Sequence, residues 1–258
     1  MAIGIMSAMT EEIALLVSEL QDRQSRTEGM REYHQGTLWG VPAVLAFSRW
    51  GKVAAATTAT HLICRFKVDA LIFTGVAGGI APGLRQGDVV VGSELFQHDM
   101  DARPVFDRHM IPLLGRSSFH TDEELRDRLE AAAARFLKEK LGLQVSQQLR
   151  DELGLVHEPA LRVGAIASGD QFFACSEKVA DLRTRLPDTL CVEMEGGAVA
   201  QVCHEYDIPF GIVRTISDSA DEQAPVTFPR FVNEVARVYS HGILREMLGS
   251  VAGERKAE

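Results

Sequence analysis

The sequence predicts an α/β protein with a mostly parallel or mixed central sheet wrapped by helices, and three observations carry that prediction. Short β-rich runs recur along the chain, each closing on small or polar residues: "AIGIMSAM", "VPAVLAFS", "DALIFTGVAGG", "DVVVGSEL", "LRVGAIASGD", "TLCVEM" and "FGIVRTISD". Helical patterns alternate with them, the arrangement that covers both faces of a sheet. With 258 residues and 46% hydrophobic side chains, the chain has enough apolar surface for one substantial core. We expect a single domain over 1–248 and a frayed tail over 249–258, where "GERKAE" is polar.

Taken in order, Ile13, Leu16, Val17 and Leu20 follow helical spacing, so a helix opens near Thr10 directly after the first strand. A second helix is expected from Thr121, because "TDEE" has the Ser/Thr-x-x-Glu form of a capping box. A third is expected over "TFPRFVNEVARVYSHGILREML", with Thr227 as its cap and Pro229 in its first turn, where the missing N–H does no harm. The segment 141–160 reads as polar and irregular.

Charge and cysteine usage narrow the function. Lys+Arg 27 against Asp+Glu 36 gives a formal charge of −9, which repels phosphate backbones and anionic membranes, so no nucleic-acid or membrane partner is expected. The opening "MAIGIMSAMTEE" lacks the basic n-region of a signal peptide, and no run approaches a membrane span. The cysteines Cys64, Cys175, Cys191 and Cys203 are widely spaced and sit among apolar neighbours, which predicts small core residues without disulfides or structural zinc. The reading is a cytoplasmic protein.

Candidate chemistry collects at strand ends, where loops aim several side chains at one crevice. "SAMTEE" carries Glu12, "TGVAGG" is expected to make a small-residue loop at 74–79, "SGDQFF" carries Asp170, Phe172 and Phe173, and "RTISDSAD" carries Arg214, Ser217 and Asp218. Each has a plain alternative. Glu12 fits a first-turn acid complementing the helix dipole, Asp218 a turn cap, and the two phenylalanines core. The glycine loop lacks both the G-x-G-x-x-G spacing and the Lys-Ser/Thr of a P-loop. His98, Asp99 and Asp101 in "QHDMD" are adjacent loop residues without a second ligand cluster, so no metal site is expected. "CVEMEGGAVAQV" poses the sharpest question: it sets Glu193 and Glu195 around Met194 in an otherwise apolar run.

Together, "IGIMSAMTEE", "GKVAAATTAT", "TGVAGGIAPGLRQGDVVV", "HDMD", "ASGDQFF", "VEMEGGAVAQVCHEYDIPFGIVRTISDSAD" and "FPRFV" resemble the 5′-methylthioadenosine/S-adenosylhomocysteine nucleosidases of the nucleoside phosphorylase superfamily. The resemblance runs in register from about residue 2 to about residue 245. It implies a three-layer α/β/α fold, usually a homodimer, that hydrolyses the N-glycosidic bond of a 5′-thio-substituted adenosine without a cofactor. By the same resemblance Glu195 accepts hydrogen bonds from the ribose hydroxyls and Met194 packs on sugar and base. It makes Asp218 the general acid to adenine N7 and Glu12 the base for water; on electrostatic grounds Arg214 would assist the ionisation of Glu12 if it lies within reach. Phe172 stacks on the adenine and backbone near Phe173 reads its edge. Ser217, Val76, Ala77 and Gly78 belong to the substrate site, while Glu193 has no assigned role.

Departures from the family pattern keep other readings open. Val76 stands where many members carry Ser or Thr, and Arg49 and Trp50 stand where compact members have a small residue and an aliphatic one. Trp50 would reshape the pocket for the 5′-substituent, and Arg49 adds a cation where related phosphorylases bind phosphate. Val105, Phe106 and Pro112 would reach the neighbouring subunit's 5′-pocket. The alternatives are a phosphate-dependent phosphorylase, a nucleosidase of the aminofutalosine type, and a non-catalytic nucleoside-binding protein.

Overall fold

The computed structural model describes residues 2–155, 157–220 and 224–254. The seven predicted runs all form strands: β1 (Ile3–Ser7), β4 (Val41–Phe47), β5 (Ala70–Gly79), β6 (Val89–Gln97), β8 (Leu161–Ser168), β9 (Thr189–Glu193) and β10 (Phe210–Asp218). Three more were not anticipated: β2 (Gln21–Glu28), β3 (Arg31–Leu38) and the short β7 (Ser118–His120). β2 reads "QDRQSRTE", without apolar alternation, and is exposed almost throughout. It is a strand because β3 templates it, in an antiparallel ladder from Glu28↔Arg31 onward, not because it buries a face.

The sheet is mixed. β4, β1 and β5 run parallel in that order, and the antiparallel β3 and β2 extend it past β4. On the other side β5 pairs parallel with β10, β10 antiparallel with β6, β6 parallel with β8, β8 parallel with β9, and β9 antiparallel back to the end of β5. Five strands thus close a circuit on β5. This explains a correction: residues 74–79 are the end of β5, not a loop. Small side chains let the end of β10 and the residues after it approach there; a Cβ at Gly78 would meet the Ala220 Cβ at 2.9 Å, and one at Gly79 the Ile216 Cγ2 at 3.0 Å.

Helices cover both faces. On one, α1 (Thr10–Glu19), α3 (Glu123–Arg135) and α9 (Arg237–Glu254) bury Leu16, Leu129 and Tyr239 with Phe136. On the other, α2 (Lys52–Phe66) and α7 (Gly196–Glu205) bury Ala59, Leu62, Val199 and Cys203. Each fully buried leucine contributes roughly 1.5–3 kcal/mol, so each layer is held by its apolar stripe. The result is a three-layer α/β/α fold.

Helix α1 starts at Thr10 as predicted. Helix α3 starts at Glu123: the cap is Asp122, whose carboxylate accepts the Leu125 N–H at 2.9 Å, while the Thr121 hydroxyl donates to the Gly92 carbonyl at 2.8 Å. A carboxylate outcompetes a hydroxyl already engaged across the sheet. The third predicted helix begins earlier and is interrupted. Helix α8 spans Ala224–Phe231, so Thr227 and Pro229 lie inside it, and a wider π-helical turn, Val232–Ala236, leads into α9. α9 continues to Glu254, beyond the expected start of fraying; residues 255–258 lie outside the described residues. The segment read as irregular contains α4 (Leu141–Gln144) and α5 (Gln147–Glu152), the latter capped by the Ser146 hydroxyl accepting the Leu149 N–H at 3.2 Å. α6 spans Ser176–Arg185. Cys191 and Cys203 are buried as small core residues, but Cys64 is exposed and Cys175 half-buried; none is in a disulfide. No helix among the described residues is long and apolar enough to cross a membrane.

Candidate active site

A pocket opens at the carboxyl ends of β1, β5, β9 and β10, where ligands of open α/β sheets gather. It gathers Glu12, Trp50, Val76, Ala77, Gly78, Phe172, Phe173, Met194, Glu195, Arg214, Ser217 and Asp218, positions more than two hundred residues apart in the chain. Val105, Phe106 and Pro112 do not line it; Val105 is 78% exposed on the loop after β6.

Glu12 sits in the first turn of α1 and is 1% exposed. Its Oε2 accepts the Ala8 and Met9 N–H groups at 3.1 and 3.0 Å, which caps the helix, and its Oε1 accepts the Val76 N–H at 3.1 Å. Glu12 is a first-turn acid of α1 and also lines the pocket. It is Val76's backbone, not its side chain, that meets Glu12. Gly75 makes room, since a Cβ there would lie 2.9 Å from Glu12 Oε1 and 3.1 Å from Arg214 Nη1. Burial pushes the Glu12 carboxyl up to about 7, against the opposing pull of the Arg214 charge and three backbone N–H donors.

Arg214, in the middle of β10, is 1% exposed. Its Nη2 donates to Glu193 Oε2 at 2.6 Å, and its guanidinium lies over the Phe73 ring, 4.0 Å from the centroid. Glu193 also accepts the Glu195 N–H at 3.2 Å, both its oxygens accept the Gly196 N–H, and the Ser168 hydroxyl donates to it. Glu193 is thus the counter-ion of a buried arginine and ties β9 to β8, β10 and the start of α7.

Glu195, two residues on, differs. Its Oε1 accepts the Gly51 N–H at 2.8 Å, and the side chain lines the pocket although only 5% of the residue is exposed. Burial first, then the nearby Glu193 charge, raises its pKa. Asp218 ends β10; its Oδ1 accepts the Ala220 N–H at 2.8 Å and its Oδ2 accepts the Ser217 hydroxyl at 2.6 Å. The turn-cap reading of Asp218 is correct for one oxygen, and the residue still lines the pocket.

Three aromatic rings stand at the pocket edge. Phe228 on α8 makes edge contacts with Phe172 (5.6 Å between centroids) and with Trp50 (6.0 Å). Phe172 is 39% exposed and Trp50 50% exposed, whereas Phe173 is buried against His98. Sequence reasoning assigned no site role to Phe228, Met9, Gln171 or the Gly51 N–H; Phe228 had a signal only in the "FPRFV" part of the resemblance. Arg49 does not line the pocket: its exposed guanidinium donates to the Met30 carbonyl at 2.6 Å. The carboxylates of the "HDMD" stretch are spent on ion pairs, Asp99 with Lys52 at 2.6 Å and Asp101 with Arg103 at 2.5 Å.

A mixed sheet closed on its central strand thus gathers buried acids and aromatic rings around one pocket at the strand ends. Residues 2–249 match the phosphorylase superfamily. A 5′-methylthioadenosine/S-adenosylhomocysteine nucleosidase of Colwellia psychrerythraea is 36% identical over 255 residues, covering 98% of each chain. The nucleosidase of the same name from Neisseria meningitidis, solved with methylthio-immucillin-A, superposes with a TM-score of 0.85 at 35% identity, covering 96% of this chain and 99% of that one. A futalosine hydrolase of Helicobacter pylori superposes at 0.79 with 30% identity, covering 96% and 99%. The chain belongs to the phosphorylase superfamily and, within it, to the 5′-methylthioadenosine/S-adenosylhomocysteine nucleosidases.

Proposed function

We propose that this enzyme hydrolyses the N-glycosidic bond of 5′-methylthioadenosine and S-adenosylhomocysteine, releasing adenine and the 5′-thioribose product. The observation that carries the reading is the convergence of Glu12, Glu195 and Asp218, each under a tenth exposed, on one pocket with an aromatic edge. Cleavage of a nucleoside C1′–N9 bond passes through an oxocarbenium-like state, which needs a proton for the departing base and a nucleophile on the opposite face of the sugar. Glu12 takes a proton from water as its oxygen bonds to C1′. The C1′–N9 electron pair leaves with the base, and Asp218 delivers a proton to N7, so that neutral adenine departs. Glu195 accepts the ribose hydroxyls, which supply the donors its carboxylate otherwise lacks. Arg214 favours the ionised form of Glu12 and holds Glu193. Phe172 stacks on the base, and Met194 packs on sugar and base.

The active form in this reading is a homodimer in the cytoplasm, in which Val105, Phe106 and Pro112 reach the 5′-pocket of a second copy. Support comes from their position off the pocket and from the exposed apolar neighbours Val105 (78%) and Leu113 (94%) on the same loop. Product analysis with 5′-methylthioadenosine tests the reaction. Adenine plus methylthioribose in phosphate-free buffer is expected; adenine appearing only with added phosphate, beside a sugar 1-phosphate, would make the protein a phosphorylase. The similarity to a futalosine hydrolase motivates a second reading, separated by assaying aminofutalosine in parallel.

A further inference from the structure

Three segments at the rim of the pocket are tied into a ring of hydrogen bonds. The Lys52 backbone N–H donates to Asp170 Oδ1 at 2.8 Å, the Asp170 N–H donates to Asp99 Oδ2 at 2.9 Å, and the Lys52 ammonium closes the ring on Asp99 Oδ1 at 2.6 Å. The ring joins the start of α2, the loop after β6 and the loop after β8. Lys52 Nζ also donates to Gln97 Oε1 at 3.2 Å, and Gln97 in turn donates to Gln201 on α7 at 2.6 Å. The side chains of Lys52 and Asp99 are 16% and 20% exposed, so this ion pair is shielded where exposed pairs contribute little. Burial raises the Asp99 carboxyl, but the Lys52 ammonium and the Asp170 N–H outweigh it and hold it below the ordinary carboxylate range.

The ring touches two elements that face the ligand. Gly51, adjacent to Lys52, holds φ +94, a conformation that favours glycine, and a Cβ there would lie 3.0 Å from Asp170 Oδ1. Its N–H is the donor to Glu195. Asp170 itself precedes Gln171 and Phe172, both on the pocket wall. Lys52, Asp99 and Asp170 do not line the pocket, so their influence runs through Gly51 and the 171–173 loop.

We propose that Lys52, Asp99 and Asp170 are positioning residues: a clamp that holds the Gly51 N–H on Glu195 and so orients that carboxylate for the ribose hydroxyls. The inference rests on the sugar-binding role given to Glu195 above. A loosened carboxylate costs rate, because misplacement on the order of 1 Å at a reacting complex costs about 10²-fold.

The test compares Lys52→Met and Asp99→Asn with the wild type on 5′-methylthioadenosine and on its 2′,3′-dideoxy analogue, which offers Glu195 no hydroxyls. The expected result is a loss of at least tenfold in kcat/KM on the ribose substrate that shrinks below threefold on the dideoxy substrate. Lys52→Arg, which retains the charge, is expected to recover most of the activity. Thermal melts identify a variant that fails to fold, in which case the other carries the comparison. Equal losses on both substrates, or no loss on either, would overturn the clamp while leaving the nucleosidase reading intact. A wild type that releases no adenine from 5′-methylthioadenosine would instead overturn the functional reading, and the clamp's purpose with it.

Discussion

Glu193 and Glu195, two residues apart, bury carboxylates to similar depth and use them oppositely. Glu193 is 7% exposed and takes a guanidinium, a hydroxyl and two backbone N–H groups, which fill its acceptor capacity within the protein. Glu195 is 5% exposed, and among the described residues one backbone N–H reaches its carboxylate. The difference teaches that burial alone does not mark a functional acid. Glu195 keeps acceptor capacity for a ligand and Glu193 does not, since a fully satisfied carboxylate has nothing to offer a hydroxyl.

Substituting both regions sharpens the comparison, and the largest effect belongs to the reacting group. Asp218→Asn is expected to lower kcat by about 10²–10⁴-fold with little change in thermal stability, because general acid catalysis supplies a factor of that size. Glu12→Gln is expected to fall in the same range. Steady-state kinetics with melting curves check both; a variant that loses Tm in proportion to activity would move that residue into the structural class.

Glu193→Ala should lose stability as well as activity. The substitution breaks the buried pair with Arg214, 1% exposed, a change that costs roughly 3–5 kcal/mol. For a chain of this size that corresponds to a fall in Tm of about 10 °C, read by calorimetry. Retention of wild-type stability would remove the distinction between the two regions.

The sequence made the pocket legible further than it made the fold. Seven strands and α1 were readable because buried parallel strands are continuous apolar runs and α1 has a clear stripe. β2 was not, because its polar residues are ordered by pairing alone, and Asp122 was passed over as a cap because Thr121's other partner lies across the sheet. In the pocket, motif residues at strand ends were visible individually. The role of Glu193 was not, since its partners Ser168 and Arg214 lie 25 and 21 residues away. Phe228 was hidden for a similar reason: only folding brings α8 beside Trp50 and Phe172.

Titration gives a smaller effect than substitution and separates the ligand-facing acids from each other. In the proposed reaction Glu12 is a base only when ionised, and its carboxyl is raised to about 7, so kcat/KM should fall as pH drops below about 7. Glu195 is raised as well, and its protonation removes an acceptor for the ribose, so the two losses combine and the limb should steepen from tenfold towards a hundredfold per pH unit. Glu195→Gln should return the slope to tenfold. A wild-type limb already limited to tenfold and centred near 4.5 would contradict the burial-driven shift.

The smallest expected effect concerns the aromatic edge, where the pocket meets solvent. Trp50 is half exposed and its edge contact with Phe228 is 6.0 Å between centroids, an interaction worth about 0.5–1.5 kcal/mol. Trp50→Ala should therefore change kcat/KM for 5′-methylthioadenosine by no more than about tenfold, through KM, because no reacting atom depends on the indole. Its direction should depend on the 5′-group. A methylthio group loses apolar contact when the indole is removed, whereas the longer homocysteinyl group of S-adenosylhomocysteine gains room at the mouth. The ratio of kcat/KM for the methylthio substrate over the homocysteinyl one should fall several-fold in Trp50→Ala, while the pH limb set by Glu12 and Glu195 stays where it is. An unchanged ratio would mean that Trp50 packs on Phe228 without facing the 5′-group.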